Sequence, residues 1–176
     1  MEVVLPDAEG RGGLDIAELV RRTRRHNPSR VIVGEVLGPE VVEMLSAMSQ
    51  GNDGSLSTIH ARDSEEVFNR IATYAAQFGS MNFDIDHQLM AGAIDFVVFI
   101  EKNPTLGMRR TVTQIIEVSG VMNGRVGRSH IFTPSPQDGR AVRNTEVPIS
   151  RMPKLARAGY TDGLPSWGAS NQQSGW

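Results

Sequence analysis

Apolar positions along the chain follow two spacings that alternate. Ile16, Leu19 and Val20 share one face at helical spacing, with Asp15 and Glu18 as an acidic capping box before them. A helix is predicted from about residue 15 to 26, ended by Pro28. Val31, Ile32 and Val33 then form a β-branched run, read as a strand buried on both faces, as in a parallel sheet. Gly38-Pro39-Glu40 opens a second helix containing Val41, Val42, Met44, Leu45 and Met48. Turn chemistry from Gly51 to Gly54 leads into a short strand that ends in Ser57-Thr58-Ile59-His60. Asp63 to Glu66 cap a third helix with Val67, Ile71, Tyr74 and Ala75 on its inner face, and a fourth is predicted over 84–93. Phe96 to Ile100 reads as a strongly buried strand. Arg110 to Val118 alternates as a half-exposed one should, paired antiparallel with it across the Pro104–Gly107 turn.

Beyond Met122 glycine, proline, arginine and serine dominate, leaving one short strand at His130-Ile131-Phe132 and one short helix from Arg151 to Ala158. Residues 1–13 show no recognisable opening element, and Ser166 to Trp176 is expected to be disordered. The pattern predicts an α/β fold, half of a doubly wound domain with a mostly parallel sheet flanked by helices. A small β-rich appendage follows. The division expected is 1–120, 121–159 and a tail from 160 to 176.

Composition narrows the function classes. The chain has 176 residues and a formal net charge of −2, which gives no general attraction to nucleic acid or to a membrane surface. It has no cysteine, which excludes disulfides and thiolate metal sites. No apolar run approaches a membrane span, and the first residues do not resemble a signal peptide, so a cytoplasmic location is expected. Lys102 and Lys154 are the two lysines among many arginines.

The chemistry is concentrated at two strand ends. Gly34-Glu35 places a carboxylate at the carboxyl end of an apolar strand, where open α/β sheets bind ligands. Such a carboxylate can orient or deprotonate an attacking water, and glycine at the preceding position favours that role over direct metal ligation. His60 has two readings: a hydrogen-bonded structural residue, or a donor toward a phosphate oxygen supported by the Ser55, Ser57 and Thr58 hydroxyls. The other histidines are dispersed, so no metal site is expected. Arg21, Arg22, Arg24 and Arg25 close the first helix. They read either as a solvated helix end or as a source of one arginine for a nearby anion.

The ordered string from Arg30 through Gly34-Glu35-Val36 to Gly54-Ser-Leu-Ser-Thr-Ile-His60-Ala61 resembles the ATPases of type II and type IV secretion systems. It is most similar to the CpaF-like branch associated with Tad/Flp-type pili. The resemblance runs from about Glu9 to Gly120 and more loosely to Arg157. It implies a RecA-like core. Val31 to Glu35 would be the Walker B strand with Glu35 acting on the hydrolytic water, and His60 would sense the nucleotide near its terminal phosphate. Arg25 matches the family's arginine, while Gly34, Gly54, Ser55 and Thr58 would lie on the nucleotide side. The family also implies ATP with Mg2+, a hexameric ring and an inner-membrane platform as partner. Location would then be peripheral to the inner face of the membrane.

Three departures stand out. Ser29 and Leu37 replace an aspartate and an arginine common in the family, and no Gly-x-x-x-x-Gly-Lys-Ser/Thr string occurs in the chain. That string supplies the lysine and backbone amides that grip phosphates. The expectation is a C-terminal portion of such an ATPase that does not turn over ATP alone. The alternative is a non-catalytic module that joins or regulates a ring of complete subunits. Nucleic-acid binding through Arg21 to Arg25 is disfavoured by the overall charge and the lack of interleaved aromatics.

Overall fold

The computed structural model describes residues 2–78 and 83–160. The tail expected to be disordered falls, from residue 161 on, outside the described residues. The chain opens with one antiparallel bridge between Val4 and Leu14, then forms α1 (Ile16–Thr23). Asp15 accepts from the Glu18 amide at 2.7 Å and so fixes the start of α1. A 3-10 turn, Arg24–His26, extends it, and Asn27 in the left-handed region ends it. β1 (Ile32–Val33), α2 (Glu40–Met48) and β2 (Leu56–Ser57) form a strand–helix–strand unit with β1 and β2 parallel, Ile32 opposite Leu56. Two helices follow, α3 (Glu66–Phe78) and α4 (Phe83–Ala93). Asp63 accepts from the Glu65 and Glu66 amides at 2.9 and 2.7 Å at the start of α3.

The second sheet contains β3 (Phe96–Asn103), β4 (Arg109–Met122), β5 (Arg125–Pro134) and β6 (Ala141–Arg143), in that order and antiparallel throughout. The expectation of a mostly parallel sheet is therefore corrected: among the described residues the parallel pairing is confined to β1 and β2. Short turns explain the difference, because they can only return a strand antiparallel, whereas the β1–β2 link crosses over through α2. The expected pairing of the 96–100 and 110–118 strands is observed, with Val98 opposite Ile115. β4 and β5 carry the sheet across residue 120. Asn123 and Gly124, both at positive φ, make the turn between them.

One apolar core joins the two sheets. Val33 and Val36 meet Val41 and Leu45 of α2, Val67, Phe68 and Ile71 of α3, Met90 of α4, and Ile116, Val118 and Val126 of the antiparallel sheet. Phe68 is the large fully buried side chain of α3, and Tyr74 packs partly buried against the same core. Two burial expectations are corrected. Ile32 lies between buried Val31 and Val33 but is 71% exposed, and Val98 and Ile100 of β3 are about half exposed at 51% and 56%. In both places the described residues cover one face of the strand and leave the other open.

The last helix, α5 (Met152–Arg157), is tied to this core by polar groups. Glu117 is buried at the centre of β4, and its carboxylate accepts from the Ser150 and Arg151 amides at 2.9 and 2.6 Å. Lys154 reaches Asp95 at 2.5 Å and Asp53 at 2.8 Å. Burial works against the charge on Lys154, but the two carboxylates outweigh it and hold the ammonium above the usual lysine range. The hydrogen bond from Lys154 in turn holds Asp53 below the usual carboxylate range.

Candidate functional site

Glu35 and His60 lie just past the carboxyl ends of β1 and β2. Because β1 and β2 run parallel in register, the residues that follow them emerge on the same side. His60 Nε2 stands 2.9 Å from Glu35 Oε1. The imidazole is mostly exposed and the carboxylate about half so, which leaves both accessible to a ligand.

Thr58 fixes this arrangement from both sides of Glu35. Its hydroxyl donates to the Gly34 carbonyl at 2.6 Å, and its carbonyl accepts from the Val36 amide at 2.9 Å. The loop beyond is held by Glu40, whose buried carboxylate accepts from the Leu37 and Gly38 amides. Polar side chains thus hold a strand pair that is too short to hold itself by its backbone ladder.

Gly34 does not occupy a left-handed conformation, and a Cβ built on it would meet nothing within 4 Å. The turn into Glu35 does not require glycine. The space above Gly34 is open.

The remaining predicted site residues are not brought together with Glu35 and His60. Ser55 sits at the opposite end of the strand pair, where its hydroxyl accepts from the Val31 amide at 2.9 Å and donates to the Asn52 carbonyl at 2.7 Å. Gly54, at φ +81, lies beside the Arg30 side chain, which a Cβ would approach to 3.0 Å. Arg25 is exposed on the 3-10 turn after α1 and has no side-chain partner among the described residues. Its neighbours are engaged: Arg21 and Arg24 pair with Glu43 of α2, and Arg22 with Glu18. The hydrogen bond from Arg22 is the main cause holding Glu18 below the usual carboxylate range. Among the described residues no group of three or more His, Asp or Glu could hold a metal ion, and no helix is long and apolar enough to cross a membrane. The sequence reading missed Glu40 and Asp53. Glu40 carries the ordinary signature of a helix start, and nothing local to Asp53 points to Lys154, a hundred residues away.

The profile of the family described as Type II/IV secretion system protein matches residues 2–101, more than half of the chain. The chain belongs to that family. A Mycobacterium tuberculosis protein named for conjugal transfer is 34% identical over 59% of this chain and 29% of its own length. The type IV secretion system protein PtlH of Bordetella pertussis is 30% identical over 61% of this chain and 33% of its own. Among solved structures, the VirB11 ATPase of the Brucella suis type IV secretion system, crystallised with sulphate, is similar at a TM-score of 0.53. It is 25% identical, with 58% of this chain and 31% of that one covered. The chain spans about a third of the length of these relatives. The profile contains β1, β2, Glu35 and His60, whereas β4, β5, β6 and α5 lie beyond its last matched residue.

Proposed function

We propose that this chain forms part of a secretion, conjugation or pilus-assembly motor that couples ATP hydrolysis to movement of a protein cargo. In this reading Glu35 orients the attacking water and His60 donates toward the terminal phosphate. The 2.9 Å pairing of these two side chains at adjacent parallel strand ends is the observation that carries it. Open space over Gly34 supports close approach of a ligand there. The similarity to a VirB11 ATPase supports a RecA-like arrangement in the complete assembly, with ATP and Mg2+ as cofactor.

The residues present fit one side of such a site. Glu35 offers an acceptor for water and His60 a donor, while the Thr58 hydroxyl is engaged by Gly34. No phosphate-gripping string occurs in the sequence. ATP would bring the anhydride bond that is cleaved, and phosphate gripping must come from other residues. Arg25, unpaired and exposed, is available to an anion within or across a ring interface. A hexameric ring peripheral to the inner membrane, facing a platform protein, completes this reading.

The test is ATP binding and hydrolysis by the purified chain, alone and assembled with a complete family member, with Glu35→Gln as control. The chain alone is expected not to turn over ATP, and the assembly should lose activity with Glu35→Gln while still incorporating the subunit. Tight magnesium-dependent ATP binding by the chain alone would sink the divided site. Unchanged turnover by the Glu35→Gln assembly would remove Glu35 from the chemistry.

A second reading, a non-catalytic module that joins a ring of complete subunits, is favoured by Ile32 and Leu56. These cross-strand neighbours are 71% and 64% exposed on the open side of the parallel pair. If Ile32→Glu abolishes assembly and Glu35→Gln changes nothing, this reading prevails.

A further inference from the structure

The hairpin joining β3 to β4 differs in charge from the rest of the chain. The chain carries a net charge of −2, yet Lys102, Arg109 and Arg110 flank this one turn. Among the described residues none of the three cationic groups has a partner. Arg109 and Arg110 line an open groove of about 760 Å³ together with Val112 and with Arg140 of the turn between β5 and β6. Arg140 is positioned by Asp138 at 3.2 Å. That turn is fastened to the hairpin, since the Asn103 side-chain amide donates to the Asp138 carbonyl at 2.6 Å. The groove is therefore braced by a side-chain bond between its two walls.

One wall is a strand edge. β5 first meets β4 where Phe132 lies opposite Ile115, so residues 109–114 pair with β3 alone. Their other side has no strand partner among the described residues.

Arg109 and Arg110 are consecutive in a strand, and consecutive strand residues point to opposite faces. A single phosphate, or a flat layer of headgroups, would engage one of them and miss the other. An extended polypeptide laid along the edge would meet both. Its main chain would pair with β4, and two consecutive carboxylates, themselves on opposite faces, would each meet a guanidinium. We infer that this groove is a docking site for an extended acidic segment of a partner protein, added to the edge of β4 as a strand. Glu101, opposite Thr111, is the acid nearest the turn in the hairpin strands and disfavours a carboxylate beside it. The site uses none of the groups assigned to nucleotide chemistry.

The test uses the full chain and a fluorescein-labelled peptide with two adjacent glutamates flanked by valines. Fluorescence anisotropy measures its binding, and hydrogen exchange follows the amides of residues 109–113. Binding is expected to slow exchange there. Arg109→Glu and Arg110→Glu should each weaken it at least about fivefold, and a peptide with its glutamates one residue apart should bind more weakly. Since both arginines are exposed, the variants should fold as the parent does. Equal binding of both peptides, unchanged exchange at 109–113, or displacement of the peptide by millimolar inorganic phosphate would overturn the proposal. So would stronger capture by phosphatidylglycerol vesicles than by the peptide.

Discussion

The parallel pair β1–β2 and the antiparallel sheet β3–β6 share one core but are held together by different means. Each parallel strand is two residues long, and its geometry depends on the side chains of Ser55, Thr58 and Glu40. The antiparallel strands β3, β4 and β5 are 8, 14 and 10 residues long and are registered by their own backbone ladders. A long ladder frees polar side chains for other work: buried Glu117 receives the backbone of residues 150 and 151 instead of holding its own strand. A short pair has no such freedom, and its loops stay open around Glu35 and His60. The candidate chemistry thus sits on the less self-sufficient of the two sheets.

Four measurements would sharpen or break that contrast. The largest effect belongs to the shared core: Phe68→Ala should destabilise the chain by about 3–5 kcal/mol in urea unfolding. Two separate unfolding transitions in this variant would show that the sheets do not share one cooperative core. Next comes Glu117→Ala, which leaves the Ser150 and Arg151 amides without their acceptor and should cost about 1–3 kcal/mol. Faster hydrogen exchange should be confined to residues 148–158. Spread of that exchange to residues 54–60 would mean that the parallel pair depends on the docking of α5.

Within β1, Val33→Ala should cost roughly 1–3 kcal/mol, while Ile32→Ala should stay within about 0.5 kcal/mol. Comparable losses at both positions would mean that the open face is covered in solution. The smallest effect is electrostatic. Lys154→Met should lower Tm at neutral pH by the equivalent of about 1 kcal/mol or less, because the ion pairs are partly exposed. Lys154 is raised in the folded chain, so its contribution is fully present below the ordinary lysine value and lost as pH rises through the elevated one. Asp53 is lowered, so its contribution is present above the ordinary carboxylate value and lost as pH falls through the depressed one. The Tm difference between parent and variant should therefore be widest at neutral pH and narrow toward both extremes. A difference that is flat with pH would rule out the ion pairs as its origin.

Local chemistry made much of this fold legible in the sequence. Asp15 and Asp63 announce the starts of α1 and α3 by their side-chain geometry, and the Pro104–Gly107 turn fixes the β3–β4 pairing. Glu35 and His60 were legible as polar residues ending two apolar runs, but the contact between their side chains was not. Exposure was not legible. Ile32 and Val98 look identical in sequence to buried strand residues, because burial depends on what packs against a face rather than on the strand itself. The extent of β5 was missed because Arg, Gly and Ser mask its alternation, although the Asn123-Gly124 pair is a strong hairpin signal. The attachment of α5 was hidden by sequence distance, since Lys154 finds its partners at Asp53 and Asp95.

The placement of Ile116, Val118 and Val126 in the same core as α1 to α4 has a consequence for synthesis. The amino-terminal helices emerge from the ribosome first, yet the apolar surface that closes over them is encoded some thirty residues after α4 ends. A nascent chain paused before β4 therefore exposes the buried faces of α2, α3 and α4 together. Once the Asn123-Gly124 turn is out, β4 and β5 can zip locally and cover those faces in one step, because hairpin contacts are close in sequence. The order of translation thus places the antiparallel hairpin after the helices it covers and before the docking of α5, and makes the interval before it the period in which a chaperone has the most to bind.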